Sequence, residues 1–124
     1  MEYREDKLTE TIIECVIQVH KQLGPGFLES IYRRALVIEL RAHGLRVETE
    51  KEVVITYEGH DVGRHRLDVL VEGQRVVELK TVEDLSKAHY AQVRSYLRAT
   101  RLNVGLLVNF ATLIADYRRI EMEP

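Results

Sequence analysis

Apolar residues recur at helical spacing through the first forty residues of the chain. One stripe predicts a helix from about Asp6 to Gln22, which the turn at Gly24-Pro25-Gly26 must end. A second stripe predicts a helix from about Leu28 to His43. The first stripe contains Leu8, Ile12, Cys15, Val16, Val19 and Leu23, and the second contains Leu28, Ile31, Ala35, Ile38 and Ala42.

The middle of the chain alternates between apolar and polar residues, which is typical of strands. A strand with Val53, Ile55 and Tyr57 is predicted to turn at Glu58-Gly59 into a second strand. A third strand follows the tight turn at 72–74.

The last third of the chain predicts one helix and two more strands. The helix runs from about Leu85 or Ser86 to Ala99, a short apolar strand from Val104 to Val108, and an edge strand from Asp116 to Met122. The order is therefore helix, helix, three antiparallel strands, helix, strand and a last strand. It predicts an α/β domain in which helices flank a central mixed sheet.

Composition bounds the class of protein. The chain has 124 residues, a net charge of −2, and 45% hydrophobic and 31% charged residues, as expected of one soluble domain over residues 1–124. The bulk charge gives no support to nucleic-acid binding, which would need a local basic patch or a metal. The lone Cys15 suits a reducing cytoplasm. No apolar run predicts a membrane span or a signal peptide, so no membrane partner is expected.

The hairpin between Arg66 and Lys80 carries the candidate chemistry. If residues 72–74 form its loop, Asp68 falls opposite Glu78, and Lys80 shares the face of Glu78. Like charges across a ladder are unfavourable, so a divalent cation is expected between them. The opposite, apolar face is predicted to contain Leu67, Val69, Val71, Val77 and Leu79.

Mg²⁺ takes one or two carboxylates together with waters and phosphate oxygens. Asp68 and Glu78 offer the carboxylates, and the carbonyl of Leu79 offers a further oxygen. Lys80 would lie beside the bound water, where an amine orients or deprotonates a nucleophile. A plainer interpretation is also open, in which Glu78 and Lys80 are a solvated pair on an amphipathic strand.

Several short motifs, in order, resemble one known family. Gly26-x-x-Glu29-x-x-Tyr32 is similar to the signature of the GxxExxY proteins, which are related to the PD-(D/E)xK nuclease superfamily. The resemblance extends from about Leu8 to about Ile120. It includes the core Asp68…Glu78-x-Lys80, the segment Ala91-Gln92-x-x-Ser95-Tyr96-Leu97, and the segment Gly105-Leu106-Leu107-Val108-Asn109-Phe110.

The resemblance implies a restriction-endonuclease-like core and a nuclease that needs Mg²⁺ or Mn²⁺. It implies Asp68 and Glu78 as metal ligands, Lys80 as the catalytic lysine, and Glu29 as a ligand or an orienter of metal-bound water. Gln92 would contact the substrate phosphate, and the expected partner is DNA or RNA, with a homodimer left open. Leu67 stands where the superfamily motif has proline.

The remaining candidates are read as structural. A basic stripe on the third helix faces away from the proposed site and is predicted to be a solvated face. Cys15 is predicted to be core, Tyr32 a packing residue with a bonded hydroxyl, and the scattered histidines no zinc site. The competing function is a non-catalytic nuclease-fold module for nucleic-acid or protein interaction. The stripe consists of Lys87, Arg94, Arg98 and Arg101.

Overall fold

A computed structural model describes residues 6–122 as three helices and five strands. Each predicted element is present, and the bounds differ from the predicted ones mainly by a few residues at the ends. The exception is the first strand, which begins well before Val53. In chain order the elements are α1 (Lys7–Leu23), α2 (Glu29–Ala42), β1 (Val47–Tyr57), β2 (His60–Val71), β3 (Arg75–Lys80), α3 (Lys87–Thr100), β4 (Val104–Asn109) and β5 (Asp116–Glu121).

The five strands form one sheet in the order β1-β2-β3-β4-β5. The β3–β4 pair is parallel and the other three pairs are antiparallel, so the sheet is mixed. Helix α3 connects the two parallel strands, as such a crossover requires. The predicted fold class, an α/β core of restriction-endonuclease type, is confirmed, and β5 is an edge strand as expected.

Both predicted hairpin turns are present. Glu58 and Gly59 have φ values of 48° and 81°, and Tyr57 pairs with His60 across them. Positive φ at both central residues is the geometry that fits the twist of a two-residue hairpin. In the second hairpin Val71 pairs with Arg75, which confirms the predicted three-residue loop.

Two apolar clusters cover the two faces of the sheet. Helices α1 and α2 pack on one face, where Val77 and Leu79 of β3 are fully buried. Helix α3 packs on the other face, against Leu70 and Val76. The helices thus form two layers, one on each face of the sheet. Successive side chains of β3 point alternately into the two layers.

Helix α1 buries the stripe that its sequence predicts, including Cys15. Burial and the nearby carboxylates of Glu39 and Glu14 raise the pKa of the Cys15 thiol to about 11, so this side chain is core. The third helix likewise buries Val93, Tyr96 and Leu97 and exposes its basic stripe. Within the described residues no helix is both long enough and apolar enough to cross a bilayer.

The predicted core stripe of α2 is wrong except for Ala35, which packs against the core. Leu28 and Ile38 are 71% and 70% exposed, and the helix instead buries Tyr32, Leu36 and Leu40. Both sets have helical spacing, and the sheet selects the set that contains the tyrosine ring.

The predicted face of Leu67 is also wrong. This side chain packs with Leu70 in the α3 cluster, whereas Val69 lies in the cluster of the other face. The pairing between β1 and β2 keeps its register here but leaves out Glu50 and the residue opposite it, Asp68. Glu50 has a φ of 51°, and the alternation of faces along β2 breaks beside Asp68.

Candidate active site

The regular ladder between β2 and β3 ends at the pair Val69–Val77. One step further, two carboxylates take over the cross-strand hydrogen bonds. The Asp68 backbone N–H donates to Glu78 Oε1 at 3.0 Å, and the Leu79 N–H donates to Asp68 Oδ2 at 3.0 Å. The two strands therefore separate where the sequence predicts Asp68 opposite Glu78, and their acids lie together in the gap.

The Glu78 side chain is buried, with 3% of the residue exposed. Burial and the neighbouring carboxylate of Asp68 raise its pKa to about 8, while the Asp68 N–H and the Lys80 ammonium partly oppose the shift. A buried carboxyl of this kind, with a specific charged neighbour, is typical of functional sites. Lys80, two residues further along β3, is partly exposed and within electrostatic range of Glu78.

Glu29 reaches the same patch from the other helical layer. It is the first residue of α2 and is half-buried. Burial and the Asp68 carboxylate raise the pKa of Glu29, and Lys80 and Arg33 oppose this shift. The structure thus places Glu29 within electrostatic range of Asp68 and Lys80, beside the pair that Asp68 and Glu78 form.

The turn before α2 places Glu29. The buried Tyr32 hydroxyl donates to the Gly24 carbonyl and accepts from the Phe27 N–H at 3.2 Å. Its ring stacks on Phe110 with 4.5 Å between ring centroids. Tyr32 is therefore the predicted packing residue with a bonded hydroxyl, and it holds both ends of the Gly-Pro-Gly turn.

Arg33 is a site residue that the sequence analysis missed. Its guanidinium lies 3.6 Å from Asp68 Oδ1 and 3.8 Å from Glu50 Oε1. It follows Glu29 by four residues, so the two share a helix face. That spacing is the signal that identifies Arg33 once Glu29 is suspected.

Asn109, also missed as a site residue, fixes the chain just after Lys80. The two residues pair in register across β3 and β4, and Asn109 is 1% exposed. Its Oδ1 accepts from the N–H groups of Val82 and Ala111 at 3.1 Å each, and its Nδ2 donates to the Val82 carbonyl at 2.8 Å. A buried amide with three backbone partners holds the end of β3 rigidly.

Helix α3 closes the site from its own side of the sheet. Burial and the charges of Glu78 and Asp68 raise the pKa of Tyr96 to about 12, and a hydrogen bond from Gln92 opposes the shift. The Oε1 atom of Gln92 is buried without a hydrogen-bond partner. Gln92 therefore lies next to the site through Tyr96, with an acceptor left unused.

A profile of the PD-(D/E)XK nuclease superfamily matches residues 6–120. The chain belongs to this superfamily. The crystal structure of SSO0001 superposes with a TM-score of 0.62 over 97% of this chain and 69% of that chain, at 18% sequence identity, which shows a shared fold. No curated protein is significantly similar to the chain in sequence.

PD-(D/E)XK nucleases generally depend on a divalent metal ion. Within residues 6–122, no three His, Cys, Asp or Glu side chains converge as a complete ligand set. The donors that are present are oxygens of Asp68 and Glu78. The N–H and C=O of one strand residue point the same way, so the carbonyl of Leu79 also points toward β2. Two carboxylates and a carbonyl suit a hard cation that keeps several waters, such as Mg²⁺.

Proposed function

We propose that this PD-(D/E)XK domain is a nuclease of the GxxExxY group that hydrolyses phosphodiester bonds in nucleic acid with Mg²⁺ or Mn²⁺. The observation that carries the proposal is the separation of β2 and β3. Two strands of one hairpin give up ladder bonds so that two carboxylates lie side by side, with a lysine next to them. Such an arrangement destabilises a sheet, and a bound cation offsets the repulsion.

Each residue then has a role that its position supports. Asp68 and Glu78 hold the cation, and Glu29 holds it or one of its waters from the start of α2. When bound, the cation supplies Lewis acidity to the phosphate and lowers the pKa of water. Lys80 orients the attacking water through an N–H of its ammonium, or offsets the charge on a phosphate oxygen. Gln92 contacts the substrate phosphate through its NH₂ group, or through a water bound to its unpartnered Oε1.

The second candidate is a non-catalytic module, and one contact favours it. Arg33 and the Leu79 N–H engage the two oxygens of Asp68. An arginine can balance the acids without a metal, as in a structural charge cluster. This module would keep the fold and bind nucleic acid or protein.

Three variants separate the two functions. Asp68→Ala and Glu78→Ala should abolish both Mn²⁺ binding and cleavage, because each removes a ligand. Lys80→Ala should abolish cleavage and leave Mn²⁺ binding intact or tighter, because a nearby positive charge is removed. Metal binding is measured by calorimetry, and cleavage is measured on labelled single-stranded, double-stranded and flapped DNA and on RNA, with EDTA as the blank.

Glu10→Ala and Lys21→Ala are the matched controls, since both side chains are exposed on α1, away from the hairpin. They should bind Mn²⁺ and cleave like the wild type. The nuclease proposal fails if the wild type cleaves none of these substrates and the three site variants differ from it only in stability. That result would favour the interaction module over the nuclease.

A further inference from the structure

A groove of about 380 Å³ lies between α3 and the hairpin that joins β1 to β2. Its polar lining comes from His65 on β2 and from Ser95, Arg98 and Arg101 at the end of α3, and the stretch 54–56 of β1 contributes the rest of the wall. We call it the α3 groove. Two members of the exposed basic stripe, Arg98 and Arg101, thus line a concave surface.

The α3 groove carries positive charge that the described residues leave unbalanced. No carboxylate lines it, and within residues 6–122 neither Arg98 nor Arg101 forms a salt bridge, whereas Arg33, Arg64 and Arg118 each pair with an acid. The chain as a whole has a net charge of −2, so the groove is a local exception. Two guanidinium groups without an acidic partner form a surface that suits phosphate oxygens.

The α3 groove connects to the candidate active site through a pair of rings. His65 packs edge-on against Tyr96 with 4.9 Å between ring centroids. Burial and the charges of Glu78 and Asp68 raise the pKa of the Tyr96 hydroxyl. Along α3, Arg98 follows Gln92 by six residues, a separation of about 9 Å along the helix axis. His65 precedes Asp68 by three residues, which is about 10 Å along a strand.

We propose that the α3 groove binds backbone phosphates of the nucleic-acid strand that is cut, about two to three nucleotides from the scissile bond. The spacing follows from roughly 9 Å of helix against a rise of about 3.4 Å per nucleotide in B-form DNA. Arg98 and Arg101 contact the phosphates, and His65 adds a hydrogen bond near the site. The contacts position the strand without reading its sequence. This inference rests on the proposed nuclease function.

The test compares two double variants with the same change in charge. Arg98→Gln with Arg101→Gln removes the groove cations, and Lys21→Gln with Arg34→Gln removes two exposed cations from the other helical layer. Binding of a fluorescent 20-nucleotide single strand and of its duplex is measured by anisotropy in EDTA, from 50 to 200 mM NaCl. Thermal melting of each variant verifies folding.

The groove variant should bind at least about tenfold more weakly at 100 mM salt. Its slope of log K against log salt should fall by about 1.4 for the single strand and about 1.8 for the duplex, as expected for two lost phosphate contacts. The control variant should remain within about twofold of the wild type. With Mn²⁺, the groove variant should show a raised KM with kcat nearly unchanged, because it removes positioning rather than chemistry.

Each alternative result decides between the two proposals. Wild-type cleavage with an unchanged salt slope in the groove variant would overturn the groove and leave the nuclease standing. Binding that depends on the groove without any cleavage in Mn²⁺ would support the groove and overturn the nuclease. A wild type that binds neither oligonucleotide would overturn the groove, and cleavage in Mn²⁺ would then decide the nuclease by itself.

Discussion

Glu78 is the residue at which the proposed function and the stability of the fold conflict most directly. It is nearly inaccessible to solvent, yet its neighbours are another acid and a lysine rather than a dedicated counterion. Ionising such a group inside the fold is unfavourable unless a positive charge compensates. Burial and the neighbouring Asp68 carboxylate therefore favour the protonated form of Glu78 when no metal compensates its charge.

The first prediction concerns this proton. The pKa of Glu78 is raised from 4.5 in the unfolded chain to about 8 in the folded one, so the unfolded state loses its proton first. In EDTA, the contribution of Glu78 to the free energy of unfolding should decrease as pH rises from about 4.5 to about 8. Glu78→Gln should lack that decrease and be more stable than the wild type by more than about 1 kcal/mol at pH 8. Urea unfolding across this range measures both.

Glu10→Gln serves as the control, because Glu10 is an exposed acid on α1. It should follow the wild-type curve. Parallel curves for the wild type and Glu78→Gln between pH 4.5 and 8 would show that Glu78 ionises normally in the fold.

Asp6 should show the opposite dependence. Burial alone would raise its pKa, but hydrogen bonds from the Thr9 hydroxyl and N–H and from Arg75 lower it to about 2. Its stabilising effect is therefore fully present above about pH 3.8 and is lost as pH falls through 2. The free energy of unfolding of Asp6→Asn should be about 2 kcal/mol lower than that of the wild type at pH 6, and it should fall less steeply as the pH is lowered. Urea unfolding between pH 2 and 6 measures both. An equal acid sensitivity in wild type and variant would contradict this assignment.

At the scale of elements, the hairpin was predictable and the face of α2 was not. Turn residues fix the register of β2 and β3, so parity alone places Asp68 opposite Glu78. Helix α2 has two apolar stripes at helical spacing, one with Ile31 and Ile38 and one with Leu36 and Leu40. Periodicity cannot choose between them, because the choice depends on which stripe the sheet covers.

The same limit explains the missed site residues. Arg33 reaches Asp68 because α2 buries the stripe that contains Tyr32. This orientation of the helix turns Glu29 and Arg33 toward β2. Asn109 acts through the backbone of a loop, and no local pattern announces which loop an amide will bond. Residues whose role depends on packing between layers therefore require the structure.

The third prediction tests how the turn before α2 places Glu29. Tyr32→Phe keeps the stacking on Phe110 but removes the bonds to Gly24 and Phe27. Two lost hydrogen bonds, one of which leaves a backbone carbonyl unpaired, should destabilise the fold by about 1–2 kcal/mol. If Glu29 serves the site, cleavage should also fall by about tenfold or more at saturating substrate. Thermal melting and single-turnover cleavage give the two values.

Tyr57→Phe is the matched control, because the Tyr57 side chain is 66% exposed at the far hairpin. It should change neither quantity. A destabilised Tyr32→Phe that cleaves at the wild-type rate would separate the turn from the chemistry.

At the scale of the whole molecule, the site forms where both helical layers reach the same gap in the sheet. Glu29 and Arg33 arrive from the α1–α2 layer, and Tyr96 and Gln92 arrive from α3. A continuous hydrogen-bond ladder between β2 and β3 would keep the two helical layers apart. Because the two strands separate, residues from both layers meet at Asp68 and Glu78. The sequence resemblance names these residues in order, but only the packed fold shows why they meet.

The last prediction follows from this convergence. A cation held by groups on both strands binds the folded chain and not the unfolded one, so it must stabilise the fold by mass action. At Mn²⁺ concentrations ten times the dissociation constant, the gain is about 1.4 kcal/mol, which for a domain of this size raises Tm by about 4–6 °C. Asp68→Asn should abolish the shift while keeping a hydrogen-bond acceptor for the Leu79 N–H. Scanning calorimetry in Mn²⁺ and in EDTA measures it, and equal Tm values for the wild type in both buffers would mean that the paired carboxylates balance Arg33 and Lys80 rather than a metal.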